Sequence, residues 1–547
     1  MVALKALLFV LSLAASAVTA IPTYGVSPKN GKPLPDLLYA NFDDLSAGMA
    51  DGTFSAVDLV KAYLMRIDEI NPVLHAVIET NPDAIEIAAG LDAERANGTV
   101  RGPLHGIPII VKDNVGTLDK MNTTAGSYAL LGTKLPRDSN VARKLKEAGA
   151  IILGKANLSQ WANYRSTNGT SGWTSRGGQC YNAYYPFADP SGSSSGSGVV
   201  SSIGLAAGAV GSETSGSIVG PSWRNSLAGI KPTVGLTSRD LVVPISQTQD
   251  TVGPMCKTLK DSATMLHYMA GPSPYDNYTS AIPFGDNIPD YAAACVPGGL
   301  KGAKIGVPWN AIVNMTTASN LAEVKAFNAS LDVLTSLGAT VIAAPFPDYA
   351  AYRASSNSSL ILMLDFKADI ANYYASLAYN PTGIHTLGDL INFTHTDPRE
   401  DWPDRNTVTW DNAWALPYDN TSPEYWAALQ ADYYLGQNAT ILGSIETYGL
   451  DAMVIPTSMS YAIAAIAGYP IVTVPNGYYP STQPVVWNSR GTLVSSGPKF
   501  PFGLAFYAKK FEEEKMIKYA CDYEQATQRR SQLNPYIIPN FQLIDVM

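Results

Sequence analysis

Hydrophobic positions along this chain repeat with two periods, and the two alternate. TFSAVDLVKAYLMRIDEIN sets Leu59, Val60, Tyr63, Leu64 and Ile67 at helical spacing, and Ser55 with Asp58 carries the capping-box pattern of a helix start. IPIIVK, Ile107–Lys112, is a short run of β-formers that ends on a charge, which predicts a buried strand with Lys112 at its exit. VARKLKEAGA followed by IILGKAN predicts a helix, a Gly turn and a second buried strand. GVVSSIGLAAGAVG, Gly198–Gly211, is built of small residues and predicts a tightly packed helix leading into a short strand. A helix–strand couple recurs in AEVKAFNASLDVLTSLGATVIAAPFP. The last third offers strands in DAMVIPT and IAGYPIVTVPNG, then the helix KKFEEEKMIKYACDYEQATQR. Strands interleaved with helices predict an α/β fold, a single large domain around one central mixed sheet. Residues 349–434 show no clear period and are rich in aromatics: Trp402, Trp410, Trp414, Tyr425, Trp426, Tyr433 and Tyr434. They are expected to form an irregular insertion and a wall for an apolar or aromatic substrate.

Composition narrows the function. The 547 residues include 46% hydrophobic and 15% charged, with a formal net charge of −9, which excludes an electrostatic case for nucleic acid as partner. Only 5 His are present, so chemistry that needs several His ligands has few places to find them, and neither a metal nor a cofactor is implied. MVALKALLFVLSLAASAVTA has one Lys, an apolar run and small residues, with Val18 and Ala20 at −3 and −1 of a cut. It reads as a secretory signal peptide over residues 1–20 rather than a membrane anchor, and no later stretch is long and apolar enough for a membrane span. A secreted, extracellular glycoprotein is the expectation. It agrees with eleven Asn-x-Ser/Thr sequons, at Asn97, Asn122, Asn157, Asn168, Asn277, Asn314, Asn328, Asn357, Asn392, Asn420 and Asn438. Asn157 follows the apolar AIILGKA and is the one expected to be buried. Cys180, Cys256, Cys295 and Cys521 are too widely spaced for a zinc ribbon; they allow up to two disulfides or free buried thiols. Oligomeric state is open.

The stretch PSGSSSGSG, Pro190–Gly198, admits three readings from its own residues. A Gly-x-Ser-x-Gly nucleophile elbow with Ser194 at its apex needs a buried strand before it, and YNAYYPFADP is a poor one. A P-loop needs a following Gly-Lys-Ser/Thr, which is absent. A linker would end in a new domain, but the Gly/Ser chemistry continues through GSETSGSIVGPSWRNSLAGIKPTVGLTSR.

Taken together, Pro190-Ser-Gly-Ser-Ser-Ser-Gly-Ser197, Gly211-Ser-Glu-Thr-Ser-Gly-Ser-Ile218 and Gly229-Ile-Lys-Pro-Thr-Val-Gly235 resemble, in order and without a gap, the signature blocks of the amidase signature family. GPLHGIPIIVKDN upstream resembles the family's lysine strand, and AGYPIVTVPNG with PFGLAFYAKKFEEEKM its closing strand and helix. The resemblance implies a domain over residues 21–547, with a signature core at about 102–240 and a variable substrate region at about 275–450. It implies a sheet covered by helices on both faces. It also implies a Ser–cis-Ser–Lys triad of Ser217 as nucleophile, Ser193 as bridge after a cis peptide, and Lys112 as base. An oxyanion hole from the backbone N–H groups of Thr214, Ser215, Gly216 and Ser217 is implied too, with Ser194 beside the substrate. Ser195 and Ser215 stand where the family has Gly, Glu213 where it has Asp, and Val219 where it has Arg. Arg224 is the candidate partner for Glu213.

The chemistry is coherent on its own. A serine hydroxyl needs a base, and a lysine serves when burial keeps it neutral. The expected reaction is hydrolysis of a small-molecule carboxylic amide to the acid plus ammonia or an amine. Acyl transfer or ester cleavage on a small specialised metabolite, and a catalytically weakened secreted binding homologue, remain open at this point.

Overall fold

A computed structural model describes residues 22–547; the expected signal peptide lies outside the described residues. Eleven strands of the described residues form one mixed sheet. In chain order they are β1 (Val77–Thr80), β2 (Pro108–Lys112), β3 (Ile151–Ala156), β4 (Gly208–Glu213), β5 (Ala228–Lys231), β6 (Thr251–Cys256), β7 (Lys304–Val307), β8 (Thr340–Ala343), β9 (Ala452–Pro456), β10 (Ile471–Tyr478) and β11 (Pro501–Tyr507). Their order across the sheet is β8-β7-β9-β11-β10-β5-β6-β4-β2-β3-β1. β2 runs parallel to both β3 and β4, whereas β6 runs antiparallel to β4 and β5. The helices used below are α1 (Ala56–Leu74), α2 (Ser195–Ser202), α3 (Val219–Arg224), α4 (Leu321–Ser336), α5 (Asn357–Ala375), α6 (Val408–Ala415), α7 (Pro423–Gly436) and α8 (Glu513–Thr527).

The elements follow the sequence pattern where that pattern is strong. Ser55 Oγ accepts the Asp58 N–H while the Asp58 carboxylate accepts the Ser55 N–H, closing the capping box of α1. Leu59, Val60, Tyr63 and Ile67 are buried, and Leu64 lies at the edge of that face. Every residue of β2 is buried, because β3 and β4 flank it and helices cover its faces. Two large apolar clusters form the core, one around α1 with β2 and β3, the other around β7, β9, β10 and β11 with α8.

The region 349–434 departs from expectation. It is largely helical, in α5, α6, α7 and a further helix at Leu387–Thr396. Its aromatics do not share one wall. Trp410 is fully buried, with its ring centroid 5.6 Å from that of Trp161 and 5.9 Å from that of Phe366. Tyr425 is buried and donates to Asp365 at 2.8 Å. Trp402, Trp414, Trp426 and Tyr434 face solvent. Helices scatter neighbouring residues around an axis, so aromatics clustered in sequence were separated in space.

Cys295 and Cys521 form a disulfide, while Cys180 and Cys256 are buried free thiols whose pKa burial pushes up. Among the described residues no helix is long and apolar enough to cross a membrane.

Candidate active site

Lys112 is the last residue of β2 and is wholly buried. Its Nζ lies 2.7 Å from Ser193 Oγ, 3.1 Å from the Ser212 carbonyl and 3.0 Å from Ser212 Oγ. Burial pulls its pKa from 10.5 down to about 7, against the opposing fields of Asp250 and Glu213. Burial alone does not single it out. Lys155 and Lys231 are also buried and are lowered to about 8, but Lys155 Nζ faces the Val115 carbonyl and Thr123, and Lys231 Nζ faces the Tyr469 carbonyl. Of these three lysines, only Lys112 meets a hydroxyl of the serine-rich segment.

PSGSSSGSG is the approach to and first turn of α2. The Gly192–Ser193 peptide is cis, as the resemblance implied. Ser193 is fully buried, and its carbonyl accepts the Ser159 N–H at 2.9 Å. Gly196 admits no side chain, since a Cβ there would lie 2.2 Å from the Ala76 carbonyl oxygen, and its N–H donates to Asn157 O at 2.8 Å. That approach packs α2 against the end of β3. The Ser194 N–H donates to the Ser217 carbonyl at 3.2 Å, tying the two serine segments together.

Ser217 ends the turn between β4 and α3 and is 7% exposed. Among the described residues its Oγ makes no hydrogen bond. The turn is held from within by Glu213. Its Oε1 accepts the Gly216 N–H at 2.8 Å, and its Oε2 accepts the N–H groups of Ile218 at 2.6 Å and Val219 at 2.9 Å. Three charge-assisted bonds to one carboxylate fix the loop. Gly216 has φ +86, and a Cβ on it would sit 2.9 Å from the Tyr461 ring, which packs on the turn. Thr214 Oγ1 donates to Asp250 at 2.5 Å, anchoring the other side.

Three expectations change here. Arg224 does not pair with Glu213: it donates to the Ser495 carbonyl at 2.7 Å and lies over Trp223 and Phe500, while backbone N–H groups brace Glu213. The Gly216 N–H is engaged by Glu213, which leaves the N–H groups of Thr214, Ser215 and Ser217 without an internal acceptor among the described residues. Ser194 turns into the protein, its Oγ donating to the Ser212 carbonyl at 3.1 Å, and so it holds the sheet rather than facing a ligand. Ser215, which stands where the family has Gly, is the exposed residue of the turn.

Two further residues complete the lysine's surroundings. Ser212 comes from β4, set beside β2 by the pairing of Val111 with Val210, and Asn114 Nδ2 donates to Ser212 Oγ at 2.9 Å. Asn114 stood in the VKDN motif and Ser212 in the Gly211–Ile218 block, but neither motif announced the contact of Ser212 with the lysine, because only strand pairing brings them together.

A buried amine thus lies against a serine hydroxyl, beside a turn in which three backbone N–H groups have no internal acceptor among the described residues. The Amidase family pattern matches residues 58–517, and the chain belongs to that family. It is 44% identical over 528 residues to a putative amidase of Arthroderma benhamiae, covering 92% of this chain and 88% of that protein. It is similar in structure to the native peptide amidase from Stenotrophomonas maltophilia, with TM-score 0.80 and 35% identity over 93% of this chain and all of that one. A peptide amidase in complex with the competitive inhibitor chymostatin is likewise similar, at TM-score 0.81 and 36% identity over 92% of this chain and 99% of that one. The protein is an amide-hydrolysing enzyme of mixed α/β fold.

Proposed function

We propose that this amidase is a secreted enzyme that cleaves a linear carboxamide through an acyl-enzyme on Ser217. The observation that carries the reading is the buried Lys112 Nζ at 2.7 Å from Ser193 Oγ, in a segment whose backbone is bonded to Ser217. The Ser212 carbonyl only accepts, so one N–H of Lys112 points to it; a neutral amine directs its N–H groups to Ser212 and its lone pair to the Ser193 hydroxyl. Ser193 passes its proton to Lys112 and takes the proton of Ser217 as Ser217 Oγ attacks the carbonyl carbon. The N–H groups of Thr214, Ser215 and Ser217 face the negative charge that develops on the carbonyl oxygen. The proton returns through Ser193 to the leaving nitrogen, ammonia or amine departs, and water hydrolyses the ester on Ser217. The leader sequence, the sequons and the Cys295–Cys521 disulfide support the secreted assignment.

Labelling with a serine-directed fluorophosphonate, followed by peptide mapping, tests the reading. A single adduct on Ser217, together with ammonia released from a carboxamide, is the expected result. Folded protein without that adduct refutes it.

A further inference from the structure

A cluster of buried positive charge lies outside the Lys112 site. Residues 160–173 and Arg405 enclose a cavity of about 20 Å³, whose lining includes Gln160, Arg165, Ser166, Thr170 and Trp173. That is room for one water-sized or halide-sized species. Arg165 is 2% exposed and Arg405 7%.

Arg165 spends four of its five N–H donors on the protein. Nη1 donates to Gln160 Oε1 and to Glu400 Oε2 at 3.2 Å, and Nη2 to the carbonyls of Glu400 at 2.7 Å and Arg405 at 2.6 Å. The fifth, on Nε, is buried without an acceptor among the described residues. Arg405 is in the same condition. Its guanidinium lies 4.6 Å over the Trp173 ring, and its Nε–H is buried without an acceptor. The Thr170 N–H, on the wall of the same cavity, has no acceptor among the described residues either.

Charge points the same way. The Glu400 carboxylate is spent on Ser127, Tyr128, Gln160 and Arg165. The Asp401 and Asp404 carboxylates stand 3.8 and 3.7 Å from Arg405 Nε, beyond hydrogen-bond reach, and at 51% and 59% exposure water screens them. Asp404 is also shared with Arg490. Burial, and next the field of Arg490, hold the Arg405 pKa down, ahead of either aspartate. Buried charges in native folds are paired, and a guanidinium that lacks hydrogen-bond partners is costly. Donors without acceptors around such a charge select an anion.

We propose that this cavity is a site for a halide ion, which accepts from the Nε–H groups of Arg165 and Arg405 and from the Thr170 N–H and pins residues 398–407 to the core. The pinned segment carries Glu400, which accepts the Gln160 side chain. Gln160 follows Ser159, whose N–H holds the Ser193 carbonyl, so the ion braces the wall behind the bridging serine.

No reaction at Ser217 is needed to detect the ion. The full chain, exchanged into sodium gluconate, is melted while gluconate is replaced by chloride or bromide at constant ionic strength. The midpoint is expected to rise saturably by about 1–2 °C at roughly 100 mM halide. Arg405→Met, compared with itself in gluconate, should lose that rise. Crystals soaked in bromide should show an anomalous peak between Arg165 and Arg405. A midpoint indifferent to halide overturns the proposal, as does an unsaturating rise, the general effect of salt, or a rise of equal size in Arg405→Met. Bromide absent from the cavity at the concentration that saturates melting also overturns it, and this crystal result decides alone if Arg405→Met does not fold.

Discussion

Replacing Lys112 by Met removes the amine and keeps an unbranched chain in the same space. The wild-type lysine titrates at about 7 when folded and at 10.5 when unfolded. Between these values the unfolded chain binds more protons, so stability rises with pH across that window. At pH 6 the depressed amine costs about 5 kcal/mol, and at pH 9 about 2 kcal/mol, taking about 1.4 kcal/mol per pKa unit. Lys112→Met escapes this cost but leaves the Ser212 carbonyl without its donor, a loss of about 1–3 kcal/mol. The variant is therefore expected to be more stable than wild type at pH 6, with the gap narrowing by roughly 2–3 kcal/mol by pH 9. Other buried groups titrate near neutrality, but they are common to both proteins and cancel in the difference. Urea unfolding at the two pH values reads the gap. Phosphonate labelling reads the chemistry: the wild-type rate should fall tenfold per pH unit below about 7, where the ammonium cannot accept a proton. Lys112→Met should lose roughly 100-fold to 10,000-fold of that rate. A pH-independent stability gap, a flat labelling profile from pH 6 to 9, or a Met variant within tenfold of wild type refutes the argument.

Glu213→Gln keeps two of the three positions around the turn but removes the charge that gathers three backbone N–H groups; a loss of about 2–3 kcal/mol in unfolding free energy and a fall in kcat larger than any change in KM are expected. Gly216→Ala drives a methyl into the Tyr461 ring at positive φ, and should lower the thermal midpoint and the labelling rate together; Gly216→Ala with Tyr461→Ala should recover part of the stability, as scanning calorimetry can show. Expressed through a secretory pathway, the protein should carry glycans at exposed sequons such as Asn97, Asn277 and Asn438 and none at Asn157, whose Nδ2 is buried against the His75 carbonyl; glycopeptide mapping checks this.

What the sequence determined is local and ordered. The capping box and spacing of α1, the apolar run that ends on Lys112, and the small residues of α2 each state their own conformation, because a helix or a buried strand imposes its period on neighbouring positions. The order of the Gly/Ser blocks, through the family they resemble, pointed to Ser193 and Ser217. Tertiary structure decided whatever depends on residues far apart in the chain. Ser212 meets Lys112 only because β4 pairs with β2, and Glu213 takes backbone N–H groups instead of Arg224 because the turn folds back over it. Tyr461 reaches the Ser217 turn from more than two hundred residues away, with nothing in its neighbours to announce it. The aromatics of residues 349–434 show the same limit from the other side. They are neighbours in sequence, yet helices turn Trp410 into the core and Trp414 and Trp426 to solvent, because a side chain's direction is set by its element and its burial by what packs against that element.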